Sequence, residues 1–345
     1  MDKAGLIKAL RTLAIAALGA GAGWLLSFPA PFLTGPAILV TLCGLAGIKT
    51  TVPTGLRNAV FVVIGLSMGQ TVTPEVLEAV RHWPVTLITL AALLVAIIWL
   101  TQMMLARWWR MDRTTGLLCA SPGHLSYVLG LTEGVKADLR TVSIVQSIRV
   151  LCLTLIVPVI VVFAGPLPVV AVVTPETVTL ATLGAMIAGA GLAGFVLDRL
   201  KLPAAYLIGG MLVAALLHAT SVVAGIIPPS LLIAAFIAMG GLIGTRFSGV
   251  TLAELKRTAG AGLAVTALAS GLAVIFSVMA ARLTGFDLVT VLVALAPGGV
   301  ETMAAMSVLL GIDPTFVAAH HVARLTMLTF IVPIFVLGRG RPSEP

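Results

Sequence analysis

Near the end of each half the chain repeats one block in constant register. Pro122-Gly123-His124, Asp138, Arg149 and a closing Leu153-Thr154-Leu155-Ile156-Val157-Pro158 recur as Pro297-Gly298-Gly299, Asp313, Arg324 and Leu328-Thr329-Phe330-Ile331-Val332-Pro333, each pair 175 residues apart. The copying reaches further back. Pro29-Ala30, Leu33 and Gly35 recur 174 residues on as Pro203-Ala204, Leu207 and Gly209, and Gly65 and Gly69 recur at 175 as Gly240 and Gly244. Internal repetition decides architecture before weaker signals are weighed. It divides the chain into a first repeat over 1–166 and a second over 167–345. The copied block places a Pro-Gly break and an arginine inside apolar sequence, the pattern of a polar site built within a membrane.

Composition agrees. The chain is 59% hydrophobic and only 10% charged, with mean hydropathy +1.14, whereas a soluble domain carries about 25% charged residues. This excludes an ordinary soluble globule. The net charge of +8 is no nucleic-acid footprint, because lysine and arginine collect in the cytoplasmic loops of membrane proteins. Cys43, Cys119 and Cys152 lie in apolar segments without CxxC spacing and read as small core residues. Lys3, Lys8 and Arg11 before Leu13–Phe28 resemble a secretory signal. Another apolar segment follows at once and Pro31 falls where cleavage would occur, so the reading is an uncleaved first span.

Each half offers six apolar segments: about 10–27, 32–48, 57–72, 84–106, 114–133 and 140–164, then 178–197, 203–219, 230–246, 259–281, 288–310 and 316–338. The fifth and eleventh carry the Pro-Gly breaks. If both re-enter on the side they came from, 17 basic residues fall on the cytoplasmic side and only Arg81 and Arg282 outside; if all twelve cross, the split is 11 against 8. The positive-inside rule therefore favours ten crossings and two re-entrant segments, with both termini cytoplasmic in an inner membrane. Five crossings per half make the halves inverted, and equivalent loops carry opposite charge bias. Their close sequence similarity keeps parallel repeats as the alternative. The expected fold is thus an all-α polytopic membrane protein of two inverted repeats, about five transmembrane helices each, with a broken re-entrant segment in each.

A Pro-Gly pair removes a backbone donor and frees dihedrals, so a helix breaks there. In transporters such breaks aim half-helix ends at substrate groups; a structural kink is the plainer reading. Arg149 and Arg324 each follow an Asp by eleven residues, roughly 16 Å along a helix and near mid-membrane. A central arginine costs about 2.5–3.5 kcal/mol even on lenient insertion scales. Two at equivalent positions are read either as a carboxylate or oxyanion site, or as partners of Glu301 and of carbonyls exposed at the breaks. Glu301 stands where the first copy has Ser126, and is either a proton carrier or a static partner of Arg324. His321 aligns with Gln146, one turn before the arginine, and is a cavity-facing donor, a proton carrier or a satisfied core histidine. His124 lies on the first break. The site named from sequence is Pro122, Gly123, His124, Ser126, Gln146, Arg149, Pro297, Gly298, Gly299, Glu301, His321 and Arg324. The glycine-rich stretches, including Gly65/Gly69 and Gly240/Gly244, read as close helix packing.

At these residues the chain resembles the AbrB-type duplicated membrane protein family. That family carries two copies of a Pro-Gly-Gly/His … Gly-x-Asp … Gln/His-x-x-Arg block ending in an apolar run with proline. Both copies here fit, except that Val135-Lys136-Ala137-Asp138 lacks the glycine kept in Gly311-Ile312-Asp313. Members are commonly labelled ammonia monooxygenases or regulators of gene expression. A metal oxygenase needs histidines or carboxylates at ligand spacing, and His82, His124, His218, His320 and His321 are scattered. A transcription factor needs a soluble basic module, and the longest hydrophilic stretches are short loops. The expectation is a non-enzymatic secondary transporter of a small organic anion, coupled to H⁺ or Na⁺, without cofactor or metal. Its partners are a small-molecule or ion ligand and the lipid bilayer, not nucleic acid; a homo-oligomer is compatible with it. A membrane-embedded solute sensor regulating genes indirectly, a channel and an oxygenase are the rivals.

Overall fold

The computed structural model describes residues 3–70, 81, 83–122, 137–164 and 176–337. They form thirteen α-helices: α1 (Lys3–Leu25), α2 (Pro31–Leu45), α3 (Thr54–Gly69), α4 (Trp83–Trp109), α5 (Arg113–Ala120), α6 (Leu139–Ala164), α7 (Leu180–Arg199), α8 (Ala205–Ala219), α9 (Pro229–Gly244), α10 (Leu252–Thr284), α11 (Leu288–Leu295), α12 (Val300–Leu309) and α13 (Pro314–Leu337). Seven are long and apolar enough to cross a membrane: α1, α4, α6, α7, α9 with the 3₁₀ turn that follows it, α10 and α13. The chain is an all-helical membrane protein. Its outer faces carry large exposed apolar side chains such as Leu18, Trp24, Ile88 and Phe163, as contact with lipid requires.

Capping residues locate the helix starts. Asp112 accepts from the Thr115 N–H at 2.9 Å to open α5, and Asp287 accepts from the Thr290 N–H at 2.8 Å to open α11. These two caps are themselves 175 residues apart. Asp138 opens α6 through the Thr141 N–H and hydroxyl, and those bonds hold its carboxyl below the usual range. Asp313 receives the N–H groups of Thr315 and Phe316 at the head of α13. A Thr251/Glu254 capping box starts α10 seven residues before the apolar run alone implied. Likewise α1 begins at Lys3 rather than near residue 10, because basic side chains continue a helix beyond the hydrocarbon.

The packing is reciprocal. Helix α3 forms its largest interface with α8, while α2 packs on α9. Small residues make both approaches close. A Cβ at Gly65 would overlap the Leu207 carbonyl oxygen, and one at Gly240 would overlap the Leu33 carbonyl oxygen. One turn on, Gly69 meets Met211 and Ala214, and Gly244 meets Val40 and Thr41. The connections entering α2 and α8 also match. Ser27 and Ala30 have φ of 54° and 53°, and Lys201 and Ala204 have 58° and 52°, left-handed values unusual outside glycine.

Two sets of contacts fix which helix ends meet. At one face, Phe316 at the head of α13 packs on Phe286, between α10 and α11, at 5.2 Å and on Trp83 at the head of α4 at 5.7 Å. At the head of α6, Arg140 pairs with Glu254 near the head of α10 at 2.9 Å and donates to the Gly249 carbonyl. There too the Asp138 N–H donates to the Thr115 hydroxyl at 3.0 Å. Hence α4 begins, and α10 ends, near the head of α13, whereas α6 begins where α10 begins.

Candidate functional site

The sites are made by two prolines. Helix α5 stops at Ala120, one turn after Leu117 receives the Ser121 hydroxyl, and Pro122 follows. Helix α11 stops at Leu295, and Ala296, Pro297, Gly298 and Gly299 separate it from α12. A proline lacks the N–H that would bond four residues back. Pro122 therefore leaves the Leu118 carbonyl without its helical donor, and Pro297 leaves that of Val293. The aligned side chains replace the missing donors: Gln146 Nε2 donates to Leu118 O at 2.9 Å, and His321 Nε2 bonds Val293 O at 3.1 Å. His321 must carry its proton on Nε2 to donate. Its buried Nδ1 has no partner among the described residues.

The arginines cap what remains of each break. Arg149 donates to the carbonyls of Cys119 and Ser121 at 3.5 and 3.3 Å and to Gln146 Oε1 at 3.4 Å. Arg324 donates to the Ala296 carbonyl at 2.7 Å and to that of Gly298. Both are buried, at 2% and 1% exposure, and both Nε donors lack a partner among the described residues. A buried guanidinium with an unspent donor is costly unless something else accepts it.

Arg149, Arg324, Gln146, Gly298, Gly299 and Glu301 line one small cavity of about 20 Å³, room for about one water. Arg246, from the 3₁₀ turn Thr245–Phe247, lines it as well. So three arginines and one carboxylate surround the head of α12, whose N-cap Gly299 supplies no side chain to its amides. A half-helix N-terminus and guanidinium groups both favour an anion. Glu301, 6% exposed, also borders a second, open cleft of about 500 Å³ that reaches Arg57, Asp198 and Lys201. A third cleft of about 520 Å³, lined by Ser67, Gln70 and Asp313, lies at the other end of α3 and of α12.

The structure thus brings Gln146, Arg149, Gly298, Gly299, Glu301 and Arg324 together around one cavity, while Pro122 and Pro297 end the helices beside it. His321 stands one turn from Arg324 and faces Val293 rather than lining that cavity. Gly123, His124 and Ser126 lie outside the described residues. His320 is a satisfied core group, bonded to Thr86 at 2.7 Å and to Phe316 O at 2.8 Å. Arg246 was hidden from sequence reasoning, since it reads as the first charge of a loop; its place two residues after Gly244 was the available signal.

A family model described as "Transition state regulatory protein AbrB" matches residues 32–337. The chain belongs to the AbrB family. Among AbrB relatives, the "Putative regulator AbrB" of Escherichia coli (strain K12) is 28% identical over 325 residues, covering 88% of each chain. The "Uncharacterized protein YhjN" of Bacillus subtilis (strain 168) is 28% identical over 295 residues, 79% of this chain and 76% of that protein. For this AbrB protein the Gln146/His321 exchange yields a test. His321→Gln is expected to keep the fold and thermal midpoint of the wild type, as glutamine does this work in the first copy. His321→Leu should orphan the Val293 carbonyl and cost about 1–3 kcal/mol, read as a lowered midpoint in detergent.

Proposed function

We propose that the protein is a secondary transporter of a small organic anion, coupled to H⁺ or Na⁺, with no enzymatic step. The observation that carries this reading is the convergence of Arg149, Arg246 and Arg324 on the head of α12, one residue from an open cleft. Unspent buried donors, a half-helix N-terminus and an access route are what a midplane anion site requires.

The proposed architecture is two inverted repeats, residues 1–166 and 167–345, each with a re-entrant broken segment. The opposed directions of α4 and α10, and of α6 and α13, support inversion. The Phe286–Phe316 and Thr115–Asp138 contacts support re-entry, because each joins the two ends of a broken segment. Clefts at opposite ends of α3 suit alternating access. We place the Arg57 and Lys201 cleft on the cytoplasmic side of an inner membrane by the positive-inside rule. The regulator named in the family description and in the Escherichia coli relative favours a second reading, a solute sensor using the same pocket without turnover.

A thermal-stability screen against carboxylates and other oxyanions tests the site. Binding to the folded state stabilises by about 2.7 kcal/mol at a hundredfold excess over Kd, so a specific upward shift is expected with at least one carboxylate. A flat screen on folded wild-type protein would overturn the anion reading. Uptake of the hit into proteoliposomes then separates carrier from sensor.

A further inference from the structure

Glu301 is the acid that lines both the large cleft and the small cavity. It sits in the first turn of α12, beside the break, and is almost wholly buried. The charged groups around it are Arg324 from α13, Arg149 from α6 and Arg246 from the turn after α9 on the cavity side. Arg57 from α3, with Asp198 and Lys201 from the end of α7 and the residues after it, lies on the cleft side. An ionised Glu301 is an anion built into an anion site. While it is charged, it occupies the field of the three arginines that an incoming carboxylate would need.

Resting on the transport reading above, we infer that Glu301 carries the coupling proton by competing with the substrate for these arginines, and that the substrate is a monocarboxylate with an apolar body. A proton from water in the cleft adds to a Glu301 carboxylate oxygen and forms its O–H bond. The substrate carboxylate then takes the place of the neutralised group. On the far side the substrate leaves and the proton returns to water. The site holds one carboxylate charge among its three arginines in both forms that must cross, empty with Glu301 ionised or loaded with Glu301 protonated. The cycle therefore moves one proton with one monoanion and no net charge. The cleft bears on the rest of the substrate: Phe61, Tyr206, Leu325 and Phe330 line it together with Arg57, Lys201 and Glu301, so it offers apolar surface beside its charged groups. A volume of about 500 Å³ falls in the usual range for small-molecule pockets.

Full-length wild type, Glu301→Gln and, as a control away from the cleft, the exposed Glu176→Gln are reconstituted into proteoliposomes and given radiolabelled benzoate or butyrate, with protein-free vesicles subtracted. Wild type and Glu176→Gln are expected to accumulate label when the outside is acidic, without response to an imposed potassium-diffusion potential. Glu301→Gln, an uncharged mimic of the protonated form, should still exchange label for label but no longer accumulate it. Accumulation by Glu301→Gln driven by the pH gradient would overturn the inference. A second measurement does not depend on that variant folding. In weakly buffered solution, wild type should take up one proton per benzoate bound, with affinity falling tenfold per pH unit above the Glu301 titration. Benzoate binding without proton uptake overturns the coupling and leaves the transport reading standing. If neither probe binds folded wild type while another anion does, the substrate class is wrong. If no anion binds, the transport reading falls and takes this inference with it.

Discussion

Arg324→Ala is expected to lower stability by about 1–3 kcal/mol and to abolish stabilisation by carboxylates. The side chain donates to two carbonyls at the break between α11 and α12: that of Gly298, which has no helical donor, and that of Ala296, which also accepts the Gly298 N–H at 2.8 Å. Each buried polar group left unsatisfied costs about 1–3 kcal/mol, and the local anion attraction goes with the guanidinium. Arg324→Lys keeps the charge on one point and reaches fewer acceptors, so it should recover part of the binding and less of the stability. Arg149→Ala should cost less in stability, because its bonds to Cys119 and Ser121 are 3.3–3.5 Å against 2.7 Å for Arg324 to Ala296. Thermal midpoints with and without the stabilising carboxylate check all three. Should Arg324→Ala remain as stable as wild type and still bind, the arginine neither caps the break nor holds the anion.

Gly65→Ala combined with Gly69→Ala is expected to prevent assembly of the native helix bundle. Ordinary overpacking costs about 1–3 kcal/mol because neighbours rearrange. Here the added methyl groups meet the Leu207 and Met211 backbone, and two helices must separate along the most extensive helix–helix contact among the described residues. Gly240→Ala with Gly244→Ala should act alike, against Leu33 in one turn and Val40 in the next. Gly184→Ala and Gly191→Ala on α7 are the controls, since nothing lies within 4 Å of the added carbon at either position. Monodispersity and yield after extraction separate the classes. Equal behaviour of the α3 and α7 pairs would show that close approach to α8 is dispensable.

Much of this site was legible because matching residues at one sequence offset name positions rather than regions. A shared 175-residue offset picked out the two prolines, the two arginines and the Gln146/His321 pair, and all lie at the breaks as the register implied. What the offset could not carry was distance across the fold. Arg246 reads as a loop charge, and only the fold shows that the 3₁₀ turn after α9 brings it to the cavity lined by Arg149 and Arg324. Arg57 and Lys201 likewise read as orientation signals, yet with Asp198 they line the cleft that Glu301 also borders. The role of His321 needed the structure for another reason. Its sequence position is equally compatible with proton carriage, and only the bond to Val293 identifies it as the stand-in for a proline's missing N–H. Helix limits slipped where charge continues a helix past the apolar run, at Lys3 and at the Thr251/Glu254 cap.

The crossed partnerships of α2 with α9 and of α3 with α8 bear on how the protein is made. When the ribosome has delivered α3, the surface meant to cover Gly65 and Gly69 is still about 140 residues from synthesis. The early helices must therefore wait in the bilayer with their small-residue faces turned to lipid or to an insertion factor. They lock only when α8 and α9 arrive. A nascent chain halted in the interval presents bare backbone to its surroundings, which gives membrane proteases a ready mark of incomplete synthesis. Two separately encoded halves would escape that fate only if they were produced together.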